Sequence, residues 1–114
     1  MALVLCTGVD PVLVKTRKLV LEKAGHRVVT AEDGAAVIKA CQRDKFEVAV
    51  IGQAGSRQLK RDIMSQIRQH CPTAKVLELY RYSMGRALED ADAWLEVPTD
   101  VPQELAERVS ALAE

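Results

Sequence analysis

Short apolar runs alternate along this chain with longer segments of mixed polarity. Two of the runs, Leu3–Cys6 and Val48–Ile51, are continuously apolar, and related runs lie at residues 26–30, 75–79 and 93–96. Continuous apolar runs of this length are typical of strands that are buried on both faces of a parallel sheet. The run 46–52 contains Val48–Ile51, which we interpret as the central strand, ending at Gly52.

The segments between these runs carry helical spacing and helix-boundary residues. Asp10 followed by Pro11 predicts a helix start, because the carboxylate can accept backbone N–H groups and proline suits the first helical position. Gly25 predicts a left-handed helix end. Four residues at helical spacing are expected to face the sheet from this helix: Leu13, Thr16, Val20 and Ala24.

The remaining helices are predicted in the same way. A second helix is expected over residues 35–42, and a third over 57–71 with Leu59, Ile63 and Ile67 facing inward. The basic residues of the third helix are expected to form a solvated outer face: Arg57, Lys60, Arg61 and Arg68. Residues 81–90 allow only a short fourth helix. The last helix is predicted to start at an Asp100 cap, with Gln103 completing a capping box and Leu105, Val109 and Leu112 buried.

These elements predict an α/β fold of (βα)5 type, a three-layer sandwich around a five-stranded parallel sheet in the order 2-1-3-4-5. We expect residues 1–114 to form a single domain. Ligands of such sheets bind at the carboxyl ends of the strands. That rule places the candidate site at residues 7–9, 52–53, 80 and 97–98.

Composition and charge narrow the function classes. Sixteen basic residues balance sixteen acidic ones, so neither a nucleic acid nor an anionic membrane is an expected partner. No apolar stretch reaches the roughly 20 residues needed to cross a bilayer, and the first residues lack the basic start of a signal peptide. We therefore expect a cytoplasmic protein. Three widely spaced cysteines, Cys6, Cys41 and Cys71, predict reduced and mostly buried thiols.

Several segments resemble the receiver domain of two-component response regulators. Their order and spacing carry the resemblance over nearly the whole chain: Asp10-Pro11-Val12-Leu13, Leu21-Glu22-Lys23-Ala24-Gly25, Val29-Thr30-Ala31-Glu32-Asp33-Gly34 and Asp90-Ala91-Asp92-Ala93-Trp94-Leu95. Receivers transfer a phosphoryl group onto one of their own aspartates. The resemblance implies two acidic residues after the first strand, a phosphoacceptor aspartate after the third, and a bound Mg²⁺. It also implies a hydroxyl residue after the fourth strand and a lysine after the fifth.

This chain departs from that pattern at every one of those positions. The acidic pair falls on Gly8 and Val9, the phosphoacceptor on Gly52, the hydroxyl position on Tyr80 and the lysine on Val97. We therefore expect no catalytic residue, no metal, no cofactor and no enzymatic activity. Asp10 is more simply a helix cap than a stray metal ligand. The Val97–Pro98 bond could be cis, as the corresponding bond of receivers often is, although most such bonds are trans.

The resemblance favours a degenerate receiver that acts in bacterial signalling or phosphorelay regulation by binding proteins, independently of phosphorylation. In receivers the usual partner and dimer surface is built from the fourth helix, fifth strand and fifth helix. The candidate interaction face here has the residue types enriched at interfaces: Tyr80, Arg81, Tyr82, Arg86, Trp94 and Pro98. Plain packing of these residues is an equal alternative, and the partner can be another protein or a second copy of the chain.

Two other functions stay open from the sequence. The crevice at Gly8, Gly52 and Tyr80 could bind a flat or anionic small ligand near free backbone amides. Cys6 could be a nucleophile of a cryptic enzyme, but no arginine follows it at the spacing of cysteine phosphatases, since that position is Val12. A core thiol is the simpler interpretation of Cys6.

Overall fold

The computed structural model describes residues 1–114 and contains the predicted alternation of strands and helices. The five strands are β1 (Leu3–Thr7), β2 (Arg27–Ala31), β3 (Val48–Ile51), β4 (Lys75–Tyr80) and β5 (Ala93–Glu96). The four helices are α1 (Pro11–Lys23), α2 (Gly34–Arg43), α3 (Arg57–His70) and α4 (Gln103–Ala113). None of the four helices combines the length and the apolar composition that a membrane-spanning helix needs.

The strands form one parallel sheet in the order β2-β1-β3-β4-β5, which confirms the predicted topology. Strand β3 lies at the centre, and all four of its residues are buried. Its register pairs Ile51 with Thr7 of β1 and with Glu78 of β4. The carboxyl ends of β1, β3 and β4 therefore meet at one edge of the sheet.

Two apolar clusters fill the space on the two faces of the sheet and make the three-layer sandwich. One cluster joins β1, β3 and β4 to α2 and α3 through residues such as Ile51, Val37 and Ile67. The other joins the opposite faces of the strands to α1 and α4 through residues such as Leu21 and Val109. Both faces are thus covered, as the continuous apolar strands require.

Helix α1 begins and ends where the sequence predicts, but its buried stripe is different. Asp10 accepts hydrogen bonds from the backbone N–H groups of Val12 and Leu13, and Gly25 has a left-handed φ of 96° after the helix. The buried residues are Val14 and Leu21, not the predicted stripe one position earlier. Among the residues expected to face the sheet, Thr16 and Ala24 are exposed and Leu13 and Val20 are half-buried. Val14 and Leu21 are seven residues apart, and Arg17, which lies between them on the same face of the helix, therefore also faces the sheet.

Helix α3 shows a similar correction. Ile63 and Ile67 are buried as predicted, whereas Leu59 is 52% exposed and Lys60, expected on the solvated face, is 7% exposed. The Lys60 ammonium lies 2.8 Å from the carboxylate of Glu78, which is fully buried in β4. Lys60 can occupy the stripe because a buried acid supplies its counter-charge.

The predicted short helix between β4 and β5 is absent, and residues 81–92 form turns instead. The helix that the sequence predicted to be short is therefore lost altogether. The last helix begins at Gln103 rather than after Asp100, and no side chain caps it, so the predicted capping box does not form. Leu105 and Val109 are buried as expected, and Leu112 is half-buried.

The prediction of reduced thiols is wrong for two of the three cysteines. Cys41 of α2 and Cys71 after α3 form a disulfide, with Cα atoms 5.5 Å apart. They face each other because α2 and α3 pack side by side against the same apolar cluster. Cys6 is a free, buried thiol, as predicted.

Candidate functional site

The loops that follow β1 and β3 are joined by backbone hydrogen bonds at the carboxyl edge of the sheet. The N–H of Gly52 donates to the carbonyl of Thr7 at 3.0 Å, and the N–H of Val9 donates to the carbonyl of Gln53 at 2.9 Å. The amides of Val9 and Gly52 are therefore engaged within the chain. They are not the free donors that the sequence suggested for a ligand.

The space next to the two glycines is occupied by the side chain of Arg17. A Cβ atom placed at Gly52 would lie 2.6 Å from Nη1 of Arg17 and 2.9 Å from the carbonyl oxygen of Thr7. A Cβ atom at Gly8 would lie 2.9 Å from a methyl group of Val14 and 3.8 Å from the same Nη1. Gly52 is thus required for the guanidinium to reach the ends of β1 and β3, whereas Gly8 is required for the close approach of Val14.

Arg17 is a half-buried cation without an acceptor in the chain. It makes no side-chain hydrogen bond, and the ion pairs of the structure are Lys60–Glu78 and Arg68–Asp92. Burial lowers the pKa of its guanidinium, negative charge on the sulfur of Cys6 and on the carboxylate of Asp10 raises it, and the positive charge of Arg81 lowers it. An arginine of this kind stays charged at neutral pH, so this edge of the sheet carries a fixed positive charge.

The residues at this edge do not fit Mg²⁺, the ion that the resemblance implies. Gly8, Val9 and Gly52 have no side-chain oxygen, and Mg²⁺ binds oxygen ligands. Asp10 is engaged as the cap of α1. No group of three or more potential ligands among His, Cys, Asp and Glu is present in the structure, and the Arg17 cation would repel a divalent ion.

The other two positions of the predicted site lie at the ends of β4 and β5. The N–H of Val97 donates to the carbonyl of Tyr80 at 2.8 Å, and the Val97–Pro98 bond is cis. The Tyr80 ring is half-buried and lies under the guanidinium of Arg86, 5.5 Å from the ring centroid. Tyr80 therefore contributes to a surface stack as well as to this edge of the sheet.

Cys6 lies on the α1 face of the sheet, inside the apolar cluster. Burial raises the pKa of its thiol to about 11, although the neighbouring Arg17 lowers it in part. A thiolate is the nucleophilic form of cysteine. At neutral pH the Cys6 thiol is protonated and inaccessible, which argues against the cryptic-enzyme alternative.

The turns between β4 and β5 expose two large apolar side chains. Tyr82 is 85% exposed and Met84 is 59% exposed. Beside them Arg86 stacks on Trp94, 4.5 Å from the ring centroid. We call these residues together with Arg81 the Tyr82 surface. Pro98, which was predicted to share this face, instead lines a groove between α1 and α4.

The backbone under the Tyr82 surface is anchored to α3 from one side. Arg57 donates to the carbonyls of Met84 and Arg86, each at 2.7 Å, and Arg61 donates to that of Ala87 at 3.3 Å. The predicted basic outer face of α3 is therefore used largely to bind this segment.

The same segment is also anchored by a residue of β4. The two carboxylate oxygens of Glu78 accept the N–H groups of Ala87 and Leu88 at 2.8 and 2.9 Å. Lys60 pairs with the same carboxylate and also donates to the carbonyl of Leu79 at 2.7 Å. One buried ion pair thus holds the segment that replaces a helix.

The sequence analysis did not identify three residues that shape the carboxyl edge of the sheet and the segment after β4, although each left a signal in the sequence. Lys60 has the helical spacing of the apolar stripe that continues with Ile63 and Ile67. Glu78 stands between leucines in a strand predicted to be buried, where a charge requires a partner. Arg17 lies between Val14 and Leu21, which are seven residues apart.

Comparison with known proteins agrees on the fold. No protein-family model and no curated protein sequence matches the chain. A CheY-like response regulator receiver domain protein from Methanospirillum hungatei JF-1 is similar to it in structure, with a TM-score of 0.82 over 99% of this chain and 94% of that one, at 16% identity.

Two further solved structures give the same result. The chemotaxis protein CheY4 of Vibrio cholerae has a TM-score of 0.82 over 98% of both chains at 20% identity. The response regulator TrrA of Thermotoga maritima, solved with Mg(2+)-BeF, has a TM-score of 0.80 over 98% of this chain and 99% of that one at 24% identity. The chain therefore has the fold of a response regulator receiver domain.

Proposed function

We propose that this receiver-fold chain is a signalling module that binds a protein partner through the Tyr82 surface, without phosphorylation of its own and without enzymatic activity. The observation that carries the proposal is the exposure of Tyr82 and Met84 on a backbone segment that hydrogen bonds hold in place. A surface that is already ordered loses less entropy on binding. Exposed aromatic side chains flanked by arginines are typical of the centres of protein interfaces.

The charges of the surface indicate the chemistry of the partner. Two arginines, Arg81 and Arg86, flank Tyr82 in the same segment. A partner segment with an apolar side chain between carboxylates would complement this arrangement. A second copy of the chain is the other occupant to consider, through the same surface.

Independence from phosphorylation is supported by the chemistry of the strand ends. The positions of the acidic pair and of the phosphoacceptor are Gly8, Val9 and Gly52, and the Arg17 guanidinium lies against Gly52. We expect the intact mass to stay unchanged after incubation with Mg²⁺ and a small phosphodonor. An acid-labile phosphoryl adduct would contradict this part of the proposal.

The docking test compares the wild-type chain with the double variant Tyr82→Ala, Met84→Ala in pull-downs from source-cell lysate. Both side chains are exposed, so their removal should leave the fold intact. A partner held by such residues should lose at least about 30-fold in affinity when they are truncated. Binding is then measured with the purified partner.

The matched control removes another exposed apolar pair, Val12→Ala and Leu19→Ala on α1, where the wild-type side chains are 71% and 57% exposed. This variant should bind like the wild type. Equal binding by all three proteins would refute the Tyr82 surface as the docking site. Sedimentation of the free chain tests the second occupant, because a dimer built on this surface should dissociate in the Tyr82→Ala, Met84→Ala variant only.

A further inference from the structure

The Arg17 guanidinium is held in an energetically unusual setting. Charged groups removed from water are normally paired or hydrogen-bonded, whereas Arg17 is half-buried and has no acceptor in the chain. No fully buried side-chain nitrogen or oxygen of the structure lacks a partner. The unpaired N–H groups of Arg17 therefore reach solvent, and a dissolved ion can approach them.

Charges of both signs lie near Arg17. Arg81, exposed just after β4, lines one cavity with Gln53, which follows β3, and brings a second positive charge to this edge of the sheet. The carboxylate of Asp10 attracts Arg17 but forms no ion pair with it, because it accepts two backbone N–H groups of α1. A negative ion at this edge would therefore meet the charges of Arg17 and Arg81.

We propose that the edge formed by Gly8, Gly52 and Gln53 is a binding site for a phosphate-type dianion, with Arg17 as its main ligand. The planar fork of a guanidinium can donate two parallel hydrogen bonds to a phosphate group. Two positive charges, those of Arg17 and Arg81, match a dianion better than a monoanion. Free phosphate and the phosphate group of a small ester share this chemistry. The inference goes beyond the proposed docking function, because its main ligand, Arg17, is not part of the Tyr82 surface, and only Arg81 belongs to both.

The site would keep the position of the receiver phosphorylation site while exchanging its chemistry. A tethered cation replaces a metal, and a reversible ligand replaces a covalent phosphoryl group. The flat-ligand alternative drawn from the sequence loses support here, because Arg17 fills the space beside the glycines and Tyr80 stacks with Arg86.

The test is an amide NMR titration of the ¹⁵N-labelled chain with sodium phosphate at constant ionic strength, with sodium chloride as the balancing salt. We expect saturable shifts centred on the amides of Gly8, Gly52 and Gln53. The variant Arg17→Gln should bind at least about tenfold more weakly, since a hydrogen bond to a charged group is lost. Arg17→Lys, which keeps the charge but not the fork, should fall between the two.

The matched control is Arg27→Gln, which removes one positive charge from an exposed residue at the amino end of β2, away from the carboxyl edge of the sheet. It should bind like the wild type. A second variant, Gly52→Ala, displaces the guanidinium without removing any charge and should also weaken binding. This variant keeps the proposal testable if Arg17→Gln fails to fold.

Three results would overturn the proposal. The first is the absence of a saturable shift up to about 20 mM phosphate, a concentration beyond millimolar affinity. The second is an equal loss of phosphate affinity in Arg17→Gln and Arg27→Gln. The third is binding of succinate as tight as that of phosphate. A parallel titration with glycerol phosphate distinguishes the sources: tighter binding than free phosphate identifies an ester as the ligand, and equal binding identifies the phosphate group alone. Failure of docking at the Tyr82 surface would leave all of these results unchanged.

Discussion

At the scale of single residues, one exchange explains the chemistry of the strand ends. Gly52 stands where the resemblance to receivers implies a carboxylate, Gly8 and Val9 stand where it implies an acidic pair, and the space beside Gly52 is filled by an arginine from α1. The position of Arg17 depends on Gly52, because its side chain reaches this edge only while Gly52 has no side chain. A single methyl group should reveal the dependence.

We predict that Gly52→Ala lowers the free energy of unfolding by about 1–3 kcal/mol, as overpacking does. Its Cβ would lie 2.9 Å from the backbone oxygen of Thr7, which cannot move as the flexible Arg17 side chain can. Urea denaturation measures the loss. Removal of Arg17 in the same chain should restore only part of it, because the contact with Thr7 remains.

The control is Gly34→Ala at the start of α2, where a Cβ would meet only the Cγ of Gln66 at 3.9 Å. This variant should be unchanged or slightly more stable, because alanine reduces the freedom of the unfolded chain. If Gly52→Ala were as stable as Gly34→Ala, the packing described around Arg17 would be wrong.

At the scale of elements, the segment between β4 and β5 is organised by β4 rather than by its own helix. Glu78 accepts two N–H groups of the segment, as a capping side chain would, and Lys60 neutralises it. Arg57 and Arg61 of α3 donate to carbonyls of the same segment. Strand, helix and turns are thereby joined by polar contacts around one buried charge.

We predict that Glu78→Gln destabilises the chain by about 3–5 kcal/mol, because it leaves the buried Lys60 ammonium without a counter-charge. Urea denaturation measures the loss, and the indole fluorescence of Trp94, whose N–H donates to Leu88, reports the local change. Glu89→Gln, on the exposed part of the same segment, should stay within about 0.5 kcal/mol of the wild type. Similar stability of the two variants would contradict the anchoring role of Glu78.

The sequence predicted strands and sheet order well, because a strand buried on both faces needs only a continuous apolar run. The helix faces were predicted less well. In α1 the stripes that begin at Leu13 and Val14 are both partly apolar, and the contact with the sheet selects the second. Arg17 and Lys60 were missed because spacing shows that a charged residue lies on an inner face but does not show what pairs with it. The side-chain partners come from other elements, through tertiary packing.

At the scale of the whole molecule, two apolar layers and one disulfide hold the elements together. The disulfide joins α2 to the end of α3, across 30 residues of sequence that include β3. Both of its cysteines belong to the cluster on the α2–α3 face, whereas Cys6 lies on the opposite face. The cross-link therefore constrains one layer of the sandwich and leaves the other free of it.

We predict that reduction of the disulfide lowers the free energy of unfolding by about 3–4 kcal/mol, the amount that closure of a loop of this length contributes in the chain-entropy model. Urea denaturation with and without reductant measures the difference. The double variant Cys41→Ala, Cys71→Ala should show no response to reductant. A response of that variant equal to the wild-type response would refute the assignment.

The same cross-link changes what a backbone break would mean for this molecule. Cys41 and Cys71 close a covalent ring that contains β3, the loop at residues 52–56 and all of α3. A protease that cuts within the ring would produce two pieces that remain one molecule until reductant is added. Digestion in that loop would pass unnoticed on a non-reducing gel and appear as two bands on a reducing one, with the central strand and the Tyr82 surface on different fragments.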